Sequence, residues 1–386
     1  MKQGEIEQIT DGIQTLMYDL ENRIMSDIVR RIRINGFSTD SADYQATRLQ
    51  QLGASEENIK KWTQEALEAT EEEIGAIFSD TLYEQYTGHQ RAYRLFKKEQ
   101  IPYEDNKPLQ DLINAVRTQI SGAFGNLAGS SGFVTKDPSG RIVYSPLMVY
   151  YRRVLDNAVM DIHSGAFSYD TVLRRTVKQL TASGLRWVDY DSGKRFRVDV
   201  AARMTVMTGF RQVQGLINRQ TAADLGTDMY EVTWHAGARP THQPWQGKVY
   251  SYRQLVDVCG LGSVTGLHGA NCYHDYSPFI PSFSLRTYTD KWLDDQNKRE
   301  NTPKSYCGEK YTTYQALQRQ RKLERSMRRC RQDIKLLQEG GANEGTVILA
   351  KAKYSGLMQE YRAFSGKMGL PLQNDRIYQD GLGRMK

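Results

Sequence analysis

Apolar residues recur at steps of three or four over residues 5–33, at Ile6, Ile9, Ile13, Leu16, Leu20, Ile24, Ile28 and Ile32. This stripe predicts one long amphipathic helix that stops near Gly36. The steps of four at its C-terminal end drift from a heptad, which favours packing inside its own domain over a coiled-coil seam. Ser55, followed by Glu56, Glu57 and Asn58, has the form of a helix cap ahead of Ile59, Trp62, Ala66 and Ala69. A second helix is therefore expected from Ser55 to about Tyr86, with Glu71 to Glu73 on a solvated face. Pro108, at a permitted first-turn position, opens a third helix reaching about Phe124, with Leu109, Leu112, Ile113, Val116 and Ile120 on one side. Gly122, Gly125, Gly129 and Gly132 interrupt the pattern, and residues 126–132 read as a linker.

Beyond that point the period changes. Residues 133–136 and 141–144 flank Asp137, Pro138, Ser139 and Gly140, a turn signal that predicts a hairpin; residues 185–190 and 194–198 flank Asp191, Ser192 and Gly193 and predict a second. Helices are expected over 146–163 and from Ser168 or Asp170 to Ser183, and a longer one, capped by Asp199, to about Leu225. Residues 230–279 read as short strands and loops dense in Gly, Pro, His and aromatic side chains. After a polar join at 301–304, residues 311–338 predict a basic helix with the stripe Leu323, Met327, Cys330, Ile334 and Leu337, stopped by Gly340 and Gly341. A last helix over 347–364 precedes a tail from Gly369. The expected fold is mainly α with a small α+β core, long N- and C-terminal helices flanking a loop- and hairpin-rich His/Cys domain. Three regions follow: 1–126, helical and acidic; 127–303, the α+β core; and 304–386, helical and basic.

Length and composition narrow the class. A chain of 386 residues and 44.2 kDa has room for two or three domain-sized units. Mean hydropathy is −0.63, polar for a compact enzyme, yet 23 tyrosines are too many for a disordered chain. No run approaches the roughly 18 apolar residues that span a bilayer, and the N-terminus lacks the basic and apolar regions of a signal peptide, so a soluble protein not exported by that route is expected. Cys259, Cys272, Cys307 and Cys330 are too few and too irregularly spaced for a disulfide scaffold, which points to a reducing compartment. The net charge of +7 is unevenly spread: residues 1–126 hold 14 basic and 21 acidic side chains, residues 127–386 hold 38 and 24. Such a split predicts partners of different charge for the two ends.

The densest chemistry lies in two runs, 234–250 and 266–274, which hold four of the six histidines. His242, His268, Cys272 and His274 supply the imidazole and thiolate donors that Zn2+ prefers, with His235 competing for a place. Their spacing matches no common zinc-finger template. The same residues are also consistent with a loop domain closed by hydrogen bonds and packing. A catalytic metal would need a carboxylate base nearby, and Asp275 is the only acid directly beside the set. A Cys272 nucleophile with His242 or His274 as base is a further arrangement. The chain has no G-x-S-x-G elbow, no P-loop and no dinucleotide fingerprint. The enzymatic alternative is therefore a metal-dependent hydrolase or nuclease using the His/Cys cluster.

The second feature is the basic helix, with eight basic and two acidic residues over 311–338. Arg321, Arg325 and Arg328, with Lys322 and Arg329 beside them, are expected opposite the apolar stripe, where they can lie along nucleic-acid phosphates without reading sequence. The competing expectation is a helix that pairs with an acidic neighbour such as the N-terminal region.

Ala201, Ala202 and Arg203 with the helix that follows, then Trp234, Gly237, Arg239, Pro240, His242, Gln246, Gly247 and Lys248, and finally Asn271, Cys272, Tyr273 and His274, resemble the phage minor capsid protein 2 family. That family is similar to the head morphogenesis proteins of the phage Mu F type, whose motif often ends in Cys-Arg-Cys where this chain has Cys272, Tyr273 and His274. The resemblance implies a minor structural protein of a tailed-phage head, made in the host cytoplasm and ending in the virion interior near the portal. Its implied roles are procapsid assembly and the packaging or retention of DNA. Its implied partners are the portal protein, the scaffold, the major capsid protein and packaged double-stranded DNA, with no membrane.

Overall fold

A computed structural model describes residues 8–35, 41–137, 139–188 and 194–383. In chain order they form α1 (Asp11–Asn35), α2 (Ser41–Ala76), a π-helical turn (Ile77–Thr81), α3 (Leu82–Gly88), α4 (Gln90–Leu95), α5 (Lys107–Ser130), β1 (Ser131–Lys136), β2 (Ile142–Pro146), α6 (Leu147–His163) and α7 (Tyr169–Ser183). There follow β3 (Arg186–Val188), β4 (Arg195–Arg197), α8 (Val198–Leu225), β5 (Met229–Val232), β6 (Val249–Ser251), α9 (Tyr252–Asp257), β7 (Tyr276–Phe279) and α10 (Asp290–Asn301). The chain closes with β8 (Lys304–Tyr306), β9 (Glu309–Tyr311), α11 (Thr313–Glu339), α12 (Glu344–Met368) and α13 (Asn374–Tyr378). The protein is mainly α with little β structure, as its periodicity predicts.

Two compact units are assembled from separated stretches: the first from Met1–Gly12, Glu71–Ala123 and Arg203–Arg319, the second from Ile13–Thr70, Phe124–Ala202 and Gln320–Lys386. This partition differs from the contiguous regions expected at 126 and 303. Composition changes along a chain locally, whereas long helices return distant segments to one core. The charge is redistributed too, with 20 basic and 22 acidic residues in the first unit and 32 and 23 in the second.

In the second unit, α1 is buried on more sides than a one-sided stripe implies. Ile13, Met17, Ile24, Met25, Ile28, Val29 and Ile32 are at most 1% exposed, and Glu21, Asn22 and Asp27 are buried with them. Each apolar side chain so buried contributes on the order of 1.5–3 kcal/mol relative to exposure. The polar ones are satisfied, as burial requires. Glu21 accepts from the Leu185 amide at 2.8 Å, Arg197 Nη2 at 2.6 Å and Gln332 Nε2 at 2.9 Å, while Asp27 accepts from the Tyr151 hydroxyl at 2.5 Å. The predicted stop near Gly36 lies outside the described residues.

Three local expectations are corrected. Ser55 caps nothing: it sits inside α2, fully buried, with its hydroxyl 2.7 Å from that of Tyr151. The segment 126–132 is no linker, because α5 runs to Ser130 and β1 begins at Ser131. Gly132 serves close strand approach instead, since a Cβ there would lie 2.2 Å from the Ser145 carbonyl oxygen. Asp199 lies one residue inside α8 and pairs with Arg197 Nε at 3.3 Å.

Both hairpins form, within the four-stranded antiparallel sheet β2-β1-β3-β4; the turn expected over 191–193 lies outside the described residues. The first turn is held by Asp137, whose carboxylate accepts from the amides of Ser139 and Arg141.

The first unit is built on the later part of α8. Gly209 lets α5 approach closely, since a Cβ there would meet Val116 and Ile120 at 2.5 and 2.9 Å. The antiparallel sheet β6-β5-β7 contributes Tyr230, Val232 and Tyr276 to a core shared with Ala222, Trp245, Leu255, Leu267 and Cys272. The loops joining these strands carry the His/Cys runs.

Candidate metal centre and basic helix

The loop between β5 and β6 is shaped by its motif residues. Gly237 adopts φ +67° against Leu317 and donates its amide to Glu300 at 2.8 Å. Trp234 meets Trp292 edge-on at 4.9 Å. Exposed Pro240 lies in the turn that follows Arg239, whose carbonyl accepts the His242 amide at 2.8 Å. Gly247, at φ +72°, packs against Leu293, and Lys248 Nζ donates to the Pro244 carbonyl at 2.9 Å.

The facing loop, before β7, folds on glycines. A Cβ on Gly266 would lie 2.1 Å from the Gly260 oxygen, and one on Gly269 2.5 Å from the oxygens of Ser263 and Val264. His268 and Asn271 both take left-handed backbone, φ +60° and +56°, an uncommon conformation for residues with side chains. The guanidinium of Arg203 donates to the Asn271 side chain, and that of Arg239 to the Ala270 carbonyl, so two motif arginines fix the segment that presents Cys272.

His242, Cys272 and His274 converge, all three buried. The Nδ1 atoms of the two histidines are 3.3 Å apart, and Cys272 Sγ lies 3.5 Å from His274 Nδ1 and 3.9 Å from His242 Nδ1. Behind them, His242 Nε2 is 2.8 Å from the Thr265 carbonyl oxygen and His274 Nε2 is 2.9 Å from Gln246 Oε1, which also accepts the His235 amide at 3.2 Å. Trp245 closes the site, with ring centroids 4.6 Å from His242 and 4.7 Å from His274. Burial holds both imidazoles below their ordinary pKa, His274 well below with further repulsion from His235, and pushes the Cys272 thiol up.

His268 is turned away from this group. Its Nε2 lies 3.3 Å from Asp275 Oδ1, and burial lowers its pKa to about 4. His235 lies tilted against His274 with ring centroids 4.1 Å apart, its Nδ1 3.1 Å from the Ala236 carbonyl oxygen. Asp275 also faces Arg211 at 3.6 Å and accepts from Gln214 Nε2 at 2.9 Å, and although burial works against the charge, His268 and Arg211 hold its carboxyl well below the usual range. Sequence reading missed this Arg211, Gln214 and Asp275 network. The available signal was Arg211, Gln214 and Asn218 at helical spacing within α8. All three are buried, and Asn218 donates to the Tyr276 carbonyl at 2.7 Å.

On α11, the basic residues divide by environment. Lys322, Arg325 and Arg329 are exposed; Arg321 and Arg328 are half-buried. Arg328 stacks over Tyr18 at 5.7 Å and donates to the Arg376 carbonyl, and Arg329 reaches the Thr181 hydroxyl at 3.4 Å. The helix is thus not a free cationic face: within the second unit it packs on α1 through Arg328 over Tyr18 and through Gln332, which donates to Glu21 and to Asn22 Oδ1 at 3.0 Å.

Cys259, Cys272 and Cys330 are buried and Cys307 exposed, none of them in a disulfide. No described helix is long and apolar enough to cross a membrane. Neither the curated proteins nor the solved structures yield a match to the chain. The family described as Phage minor capsid protein 2, however, matches residues 1–364, nearly all of the sequence and both loops of the His/Cys group, so the chain belongs to that family of phage capsid proteins.

Proposed function

We propose that this phage capsid protein is an internal, portal-proximal component of the head, acting in procapsid assembly and in the packaging or retention of DNA. The observation that carries the reading is family membership over residues 1–364. Its partners on this reading are the portal protein, the scaffold and the major capsid protein, and packaged double-stranded DNA. The protein passes from the host cytoplasm to the virion interior as heads assemble.

Charge supports the DNA contact. The second unit carries the excess of basic side chains, and α11 offers exposed Lys322 and Arg325. Side chains of this kind bind phosphates by releasing counterions, without base readout.

The test is co-expression with the portal, scaffold and major capsid proteins of the same phage, followed by procapsid purification and quantification of the 44.2 kDa band. Salt-resistant retention that requires the portal is the expected result. A chain that stays outside the particles defeats the proposal.

A further inference from the structure

The His242, Cys272 and His274 group has a proton count that its own atoms do not satisfy. The Thr265 carbonyl can only accept, so His242 Nε2 carries the proton of that imidazole. Gln246 Oε1 already accepts a backbone amide, which fixes it as the oxygen end, so His274 Nε2 is likewise the protonated nitrogen. Both Nδ1 atoms then point bare lone pairs at one another across 3.3 Å, with the Cys272 sulfur as third member. One thiol proton can serve only one of the two nitrogens. A cation at the centre satisfies all three donors.

The spacing fits such an ion. Bond lengths of about 2.05 Å to nitrogen and about 2.3 Å to sulfur give tetrahedral edges of about 3.3 Å between nitrogens and about 3.6 Å between nitrogen and sulfur. The three observed edges are 3.3, 3.5 and 3.9 Å. The outer contacts fit as well: metal-bound histidines donate their second N–H to a carbonyl or carboxylate, as His242 and His274 do here to Thr265 and Gln246. Two imidazoles and a thiolate suit zinc and not magnesium or calcium.

We infer that His242 Nδ1, His274 Nδ1 and Cys272 Sγ bind one zinc ion, with His268 outside the set, and that the ion fastens the loop before β6 to the loop before β7. Binding releases the Cys272 thiol proton and leaves both histidines neutral. Three protein donors leave the fourth tetrahedral position to a solvent molecule, and the role we assign is nonetheless structural: Trp245 covers the site, and the adjacent carboxylate of Asp275 is engaged by Arg211, Gln214 and His268. The inference stands apart from the capsid reading.

The full chain, purified without chelator, is expected to carry about one zinc per molecule by elemental analysis. Exchanged with Co2+, it should show the intense visible bands of tetrahedral cobalt and a thiolate-to-cobalt charge-transfer band. Cys272→Ser should abolish the charge-transfer band, and Gln246→Leu should weaken the metal about 10- to 100-fold by freeing the His274 ring. His268→Gln should retain full metal content, and chelation should lower the melting temperature of the wild-type chain. The wild-type cobalt spectrum reads the site even if a variant fails to fold. Absence of zinc together with no cobalt uptake overturns the proposal, as does a charge-transfer band that survives in Cys272→Ser. Loss of metal in His268→Gln that keeps the wild-type circular dichroism overturns the ligand assignment, and a melting temperature indifferent to complete metal removal overturns the structural role.

Discussion

Arg331 and Asp380 form an ion pair with neither side chain exposed: Nε lies 2.6 Å from Oδ2 and Nη2 3.0 Å from Oδ1, while the guanidinium stacks over Tyr378 at 4.8 Å. The pair ties the segment after α13 to α11. Asp380→Ala leaves a buried cation without its counter-charge and should destabilise the second unit by about 3–5 kcal/mol. Arg331→Met combined with Asp380→Leu should recover most of that loss, because the desolvation cost disappears with both charges. Urea midpoints of the two variants check both statements.

A pH dependence is expected from Glu324. It is buried in the second unit, and burial raises its pKa above the ordinary 4.5, opposed less strongly by Arg376, Arg328, the Tyr361 hydroxyl and Arg321. A carboxyl with a raised folded pKa binds more protons folded than unfolded, so its contribution falls as pH rises from about 4.5 through the folded value. Glu324→Gln removes this titration and retains an acceptor for Tyr361. The difference in stability between variant and wild type, measured in urea from pH 4 to 8, should shift in the variant's favour as pH rises.

Two glycine substitutions should have opposite signs. Gly122 lies inside α5 with nothing within 4 Å of an added Cβ, so Gly122→Ala should stabilise by about 0.5–1 kcal/mol. Gly266→Ala drives a methyl onto the Gly260 carbonyl and should cost about 1–3 kcal/mol. Thermal unfolding of the two single variants gives the comparison.

On α11, Lys322→Ala with Arg325→Ala should lower the slope of log affinity for duplex DNA against log salt by about 2 and leave the fold intact. Arg328→Ala should instead lower stability, because its guanidinium lies over Tyr18. Filter binding at several salt concentrations, with a melting curve for each variant, separates the two behaviours.

Much of the helical layout was legible because it is local. The spacing of Ile13, Leu20, Ile24 and Ile32 gives α1, and Pro146 and Ser168 sit at the starts of α6 and α7. Ser55 has a cap signature but lies inside α2, buried with its hydroxyl hydrogen-bonded to that of Tyr151, which no local pattern encodes. In the His/Cys group, His268 and His274 are alike in type and close in sequence. They part because the chain is left-handed at His268 and again at Asn271, turning one ring to Asp275 and the other to Cys272. Gln246 stands in the family motif, but its role was not legible, since that role depends on which atom of a distant imidazole it receives.

The interleaved units bear on vectorial synthesis. Neither core is complete when the ribosome has made the first 200 residues: the first unit still waits for residues up to Arg319, and the second for α11 and α12. The buried face of α1 emerges early, and Gln332, the partner of Glu21 and Asn22, follows some three hundred residues later. During that interval α1 presents unsatisfied apolar and acidic groups to the host cell, as expected of high-separation contacts that form late. A fragment ending before α11 therefore holds nearly all of the first unit but lacks the helices that complete the second, and leaves Glu21 and Asn22 without Gln332.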